Sequence, residues 1–273
     1  MASCPDVAPE CAVIAIPDHE HHVRLTLLHS ELTAMYGLRP AVAVSLRLPY
    51  DVKDQHVRYT TLTGQPFVPP YGDIHHRTET LRGISDGDLL ALWAPATGGV
   101  SHWRFGLGTT LPLGHTVPDP VELGREGKTH EHLQFGSGVF APEVEVSWSR
   151  ALGKTIASAS LQATIPLTTN SRGFRAPKNF RWSLGPSFSA GRLGITLSAA
   201  GQYQTIGRWH GEIDEGTGFS NGGLRLQVSI PATARLTITP SVYRELWSRG
   251  LNTAEHETFS QGTTVGLTVT RAF

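Results

Sequence analysis

The feature that most constrains this chain is a two-residue alternation of apolar and polar side chains that recurs from one end of the sequence to the other. Successive side chains on a β-strand point to opposite faces, so each such run predicts a strand with one apolar and one polar face. In residues 234–242, Leu236, Ile238 and Val242 share one parity with Ala234 and Pro240, while Arg235, Thr237, Thr239 and Ser241 hold the other. The pattern repeats in Leu224, Leu226, Val228 and Ile230, in Leu193, Ile195, Leu197 and Ala199, and in Phe180, Trp182, Leu184 and Phe188. Upstream it runs from Ala157 to Leu167, through Val144, Val146 and Trp148, from Trp103 to Leu113, and through Val42, Val44, Leu46 and Leu48, with less regular stretches at 23–36 and 86–94. With the closing segment 262–273 this predicts eleven strands, several of them longer than the ~5–6 residues of an average globular strand. No helical period appears, and 120–134, which contains Pro120 and Gly124 and follows Pro118, reads as a loop.

The polar parity is rich in Ser, Thr, Gly, Gln and Arg, and only 17% of residues are charged. Soluble sheets, including sandwiches and lipocalin-like barrels, keep their outer faces dissolved with Lys and Glu, whereas small polar residues suit a hydrated lumen. Connections alternate in length. Short ones fall at 37–40, 96–99, 152–154, 190–192 and 231–233, and long ones at about 51–85, 114–137, 169–177, 207–221 and 248–260. Bacterial outer-membrane barrels show this asymmetry, with short periplasmic turns and long outer loops. Tyr50, Trp93, Trp103, Trp148, Trp182 and Trp247 sit toward predicted strand ends, where aromatic girdles lie. Val265, Leu267, Val269 and the terminal Phe273 share a face, which resembles the assembly signal of such barrels and implies the outer-membrane assembly machinery as a partner; Arg271 departs from that pattern.

These readings converge on an all-β fold, an antiparallel transmembrane β-barrel in the bacterial outer membrane, in contact with membrane lipid and small-molecule solutes. Single-chain barrels have even strand numbers. Eleven strands with a short first connection therefore predict about twelve, the first being irregular, short or absent. Residues 1–22 read as an N-terminal segment and 23–273 as one barrel domain. Lys plus Arg and Asp plus Glu balance at 23 each, so no basic field points to nucleic acid. No basic and apolar leader stands at residues 1–5, and Cys4 and Cys11 are the two cysteines, either a small disulfide loop or free thiols.

Residues Asp73 to Thr80, followed by Gly83-Ile84-Ser85-Asp86-Gly87-Asp88 and by Phe105-Gly106-Leu107-Gly108-Thr109-Thr110-Leu111-Pro112, resemble the outer-membrane transporters related to the MetA-like phenol-degradation proteins. The resemblance extends from about residue 20 to 273 and rests on a Gly-x-Gly-Asp-type start of one strand and a following strand that ends near Leu-Pro-x-Gly; Ser85 stands where a second Gly is common. It implies passage of small, apolar molecules across the outer membrane. Seven charged residues are candidate lumen-lining groups: Arg47, Arg104, Arg181, Arg225, Arg235, Arg244 and Glu245. Of thirteen histidines, seven cluster at 19–22, 75–76 and 130–132. In the rival reading of a plugged binding or structural barrel, these loops capture metal or a surface partner, with His21, His22, His75 and His76 as ligands for Zn or Cu; otherwise no cofactor is expected. No nucleophile motif of the Gly-x-Ser-x-Gly type appears, so the chain is not expected to be an enzyme.

Overall fold

The computed structural model describes residues 17–70, 77–96, 99–214, 216–251 and 260–273. Its first half contains β1 (His19–Arg39), β2 (Val42–Thr61), β3 (Pro66–Phe67), β4 (Glu79–Ile84), β5 (Gly87–Trp93), β6 (Ser101–Leu111), α1 (Pro120–Arg125), β7 (Pro142–Leu152) and β8 (Thr155–Thr164). The second half adds β9 (Phe174–Arg175), β10 (Asn179–Ala190), β11 (Leu193–Gln204), β12 (Arg208–Trp209), β13 (Glu212–Ile213), β14 (Phe219–Thr233), β15 (Leu236–Gly250) and β16 (Thr263–Arg271).

The long strands form an antiparallel meander in the order β1-β2-β5-β6-β7-β8-β10-β11-β14-β15-β16. β4 and β5 share one lane beside β2: β5 pairs with residues 42–47 and β4 with residues 50–55. The eleven lanes are the strands that the alternation predicts. β1 and β16 are the sheet's two edges, and the residues before 17, on which an irregular twelfth strand would fall, lie outside the described residues together with Cys4 and Cys11.

Three local expectations are corrected. The stretch 51–85 is not one long connection, because β2 continues to Thr61 and β4 forms at 79–84. Apolar alternation stops near Val52, yet β1 goes on pairing in register with polar residues of β2 up to His19↔Thr61, and backbone pairing does not need an apolar face. For the same reason strand structure begins at His19, ahead of residue 23. Within 120–134, α1 forms because Asp119 caps it, accepting from the backbone N–H of Val121 (2.8 Å) and Glu122 (3.3 Å), with Pro120 in the first turn.

The apolar parity stands outward. Leu107, Leu184 and Leu267 are 67%, 56% and 68% exposed, and each belongs to a continuous band that in water would drive association. Aromatic rings mark both margins of the band. Near the short turns Trp93 stacks on Phe105 at 5.5 Å and Trp103 lies 6.0 Å from Phe105 and 6.4 Å from Trp148. Toward the long loops Trp182 covers Gly201 and Trp247 covers Gly222, so closely that a Cβ on either glycine would come within 2.7 Å of the indole.

Candidate functional site on the inner wall

Arg47 projects from the polar parity of β2, which faces the concave side. Its Nη2 bonds Glu145 Oε1 at 2.6 Å, while Nη1 lies 3.6 Å from Glu143 Oε1 and 3.9 Å from Asp88 Oδ2. Glu143 and Glu145 are on β7, two lanes beyond β5. Strands are spaced ~4.8 Å apart, so this reach is possible only where the sheet curls toward Arg47 and the strand between is bare. Gly108 and Gly106 provide the bare strip: they are the β6 residues that pair with Glu143 and Glu145. A Cβ on Gly108 would meet Leu89 O at 2.0 Å, so the tight curl at this point excludes any side chain.

Three carboxylates thus surround one guanidinium. Glu143 is fully buried; its Oε1 accepts from Gln162 Nε2 at 2.5 Å, and its Oε2 accepts no geometric hydrogen bond among the described residues. Leu90 and Leu92, paired with Gly108 and Gly106, are buried on the same inner face beside the group. Such a site can hold a local charge in the wall and favour one sign of solute over the other.

Arg104, Arg181 and Arg225 share the inner face, opposite Ser147, Gln202 and Tyr243 respectively, and Arg225 lies 5.7 Å over the Tyr243 ring. Arg235 is instead in the turn between β14 and β15, because β15 starts only at Leu236. Arg244 belongs to the outer face with Val242 and bonds Thr263 Oγ1 at 2.8 Å. Glu245 turns to the backbone N–H of Gln261 and to Ser260 Oγ, so it holds the end of a loop. Asp88, Glu143 and Glu145 escaped the sequence reading, although Glu143 and Glu145 alternate with Val144 and Val146 and could have been found by parity.

Of the four expected metal ligands, the described pair, His21 and His22, is not brought together. His21 and His22 are neighbours on β1 and point to opposite faces: His21 Nε2 lies 3.0 Å from His19 Nε2, whereas His22 bonds Thr60 Oγ1 at 2.8 Å. His75 and His76 lie outside the described residues. A Ser, an Asp and a His do meet at Asp51, which accepts from Ser85 Oγ and lies 2.7 Å from His29 Nδ1. The carboxylate stands between the other two, so the imidazole cannot take the Ser85 proton as a hydrolytic triad requires.

The loop from 112 to 141 folds against the inner wall where β4 gives way to β5. Asp86 accepts from Gly114 N (3.0 Å), Ser137 N (2.7 Å) and Ser137 Oγ (2.7 Å). A Cβ on Gly83 would lie 3.6 Å from the Phe135 ring, and Lys53 Nζ sits 4.5 Å over that ring and is bonded to Gln134 O. Loops 165–178 and 205–218 join it through the small sheet of β9, β12 and β13 and an apolar cluster of Val117, Phe174 and Trp209. Together these loops form a cap at the long-loop end.

No family model and no curated protein sequence matches the chain. Among solved structures it is similar to the COG4313 outer membrane channel from Pseudomonas putida F1, with 11% identity, a TM-score of 0.55, and coverage of 92% of this chain and 83% of that one. The shared feature is the fold, a curled antiparallel β-sheet meander.

Proposed function

We propose that the chain is an outer-membrane channel or transporter for small molecules. The observation that carries this reading is the two-sided wall: an apolar, aromatic-bounded outer face, and an inner face that carries Arg47, Asp88, Glu143, Glu145 and three further arginines. The structural likeness to a channel supports it, as does the resemblance to the MetA-like transporters, which favours small apolar solutes. In this reading the chain lies in the outer membrane of a Gram-negative-type envelope, in contact with lipid, and is inserted with the help of the terminal strand ending at Phe273. The loop docked at Asp86 narrows the path.

The test is conductance of the refolded protein in a planar lipid bilayer. Discrete steps whose ion preference changes with Arg47→Gln are expected. Insertion without conductance, both in the native protein and after Asp86→Ala removes the side-chain latch on the loop, would overturn the channel reading in favour of a plugged binding barrel.

A further inference from the structure

We propose that Asp119, Glu122 and His210 form a zinc site that ties two of the cap loops together. One ligand atom from each lies within 4.8 Å of the other two. His210 Nε2 is 3.8 Å from Asp119 Oδ2, too far for a hydrogen bond but close to the separation of two ligands on one ion with bonds of ~2.0–2.2 Å.

The donors are held in place from both sides. The Asp119 side chain is only 8% exposed, and its Oδ1 takes the backbone N–H of Val121 and Glu122. Oδ2 makes no hydrogen bond among the described residues and is aimed at the imidazole. His210 adopts φ 47°, a left-handed conformation uncommon for a residue with a side chain, and its N–H bonds Gly173 O at 2.9 Å. Its ring rests on Gly173, where a Cβ would come within 2.2 Å of Nε2, so the absence of a side chain there sets the ring's direction. Beside the site, Arg125 Nη2 bonds both carboxylate oxygens of Glu212, at 3.0 and 2.9 Å, and already joins the same two loops. The Glu122 carboxylate has no hydrogen bond or ion pair among the described residues, which leaves it available as the third ligand.

One imidazole nitrogen with two carboxylates suits a borderline ion such as zinc, whereas calcium and magnesium prefer all-oxygen sets. The fourth position faces solvent, since His210 is 62% exposed.

The experiment is calorimetric titration of zinc chloride into the refolded full chain in detergent, alongside His210→Asn and Glu122→Gln. Asn tolerates the left-handed backbone and removes the imidazole. Zinc taken up by any other histidine is common to all three proteins, so the difference isolates this site. The expected result is one binding equivalent lost, or weakened at least about tenfold, in each variant, with calcium chloride producing no matching heat. Identical isotherms for all three proteins overturn the proposal. Compactness on a detergent gel is checked first; if His210→Asn does not fold, Glu122→Gln, an exposed change, decides. Binding is read directly, so a barrel that proves silent in the bilayer leaves this result standing.

Discussion

At the scale of single residues, the inner wall turns on an imbalance of three carboxylates against one guanidinium. Taking Arg47 away leaves Asp88, Glu143 and Glu145 uncompensated beside buried leucines, and removing one partner from a buried ion pair costs about 3–5 kcal/mol. Arg47→Met is therefore expected to lower the urea midpoint of the refolded protein markedly. Glu143→Gln should behave in the opposite way. It removes one of the three negative charges crowded around Arg47 while keeping an oxygen for Gln162 Nε2, so the midpoint should hold or rise. Equal losses in the two variants would mean that Glu143 is paired with something further. Parity alone placed Arg47, Arg104, Arg181 and Arg225 on the polar face. Arg244 shares the parity of Leu236, Ile238 and Val242, so strict alternation places it on the outer face and only its charge suggested the lumen; the β15 bulge comes after it, at Leu246 between Glu245 and Trp247.

At the scale of elements, the wall depends on places where a strand carries no side chain. A Cβ on Gly185 would lie 2.0 Å from Leu197 O, on the neighbouring strand β11, and that backbone cannot give way without breaking the β10–β11 ladder. Gly185→Val is expected to abolish the compact, unboiled species on a detergent gel. Gly37→Ala, with nothing within 4 Å of its added Cβ, should leave that species unchanged. The latch at Asp86 belongs to this scale as well. Asp86→Ala removes the three side-chain bonds from Asp86 to Gly114 and Ser137, and larger single-channel steps are the expected outcome; steps of unchanged size would show that this latch does not narrow the path. Strand existence was legible because most of the membrane-length runs alternate cleanly, with 23–36 and 86–94 less regular. The extension of β2 and the loop positions were not, because polar strands above the apolar band and loops docked by backbone N–H groups leave no periodic trace in side-chain chemistry.

At the scale of the whole molecule, the two edges of the sheet constrain how the ring closes. β1 and β16 both run from the long-loop end toward the short-turn end, since β1 leads into the short turn before Val42 and β16 pairs antiparallel with β15, whose first residue, Leu236, lies opposite Arg271. Direct pairing of β1 with β16 would be parallel. A second copy related by an axis along the membrane normal would also present strands running the same way. Only a strand running from the short-turn end upward completes an antiparallel ring, which is the even-numbered arrangement typical of single-chain bacterial barrels. It would place β1 and β16 two strand spacings apart, about 10 Å, beyond the ~4.4–6.8 Å between Cα atoms that a disulfide spans. Cysteine pairs between residues 33–37 of β1 and 266–270 of β16 are thus expected to resist direct oxidation and to be joined by a cross-linker about 10 Å long, within a monomer. Direct disulfides would show a parallel seam and an eleven-stranded ring; cross-links only between copies would show that two chains share one barrel.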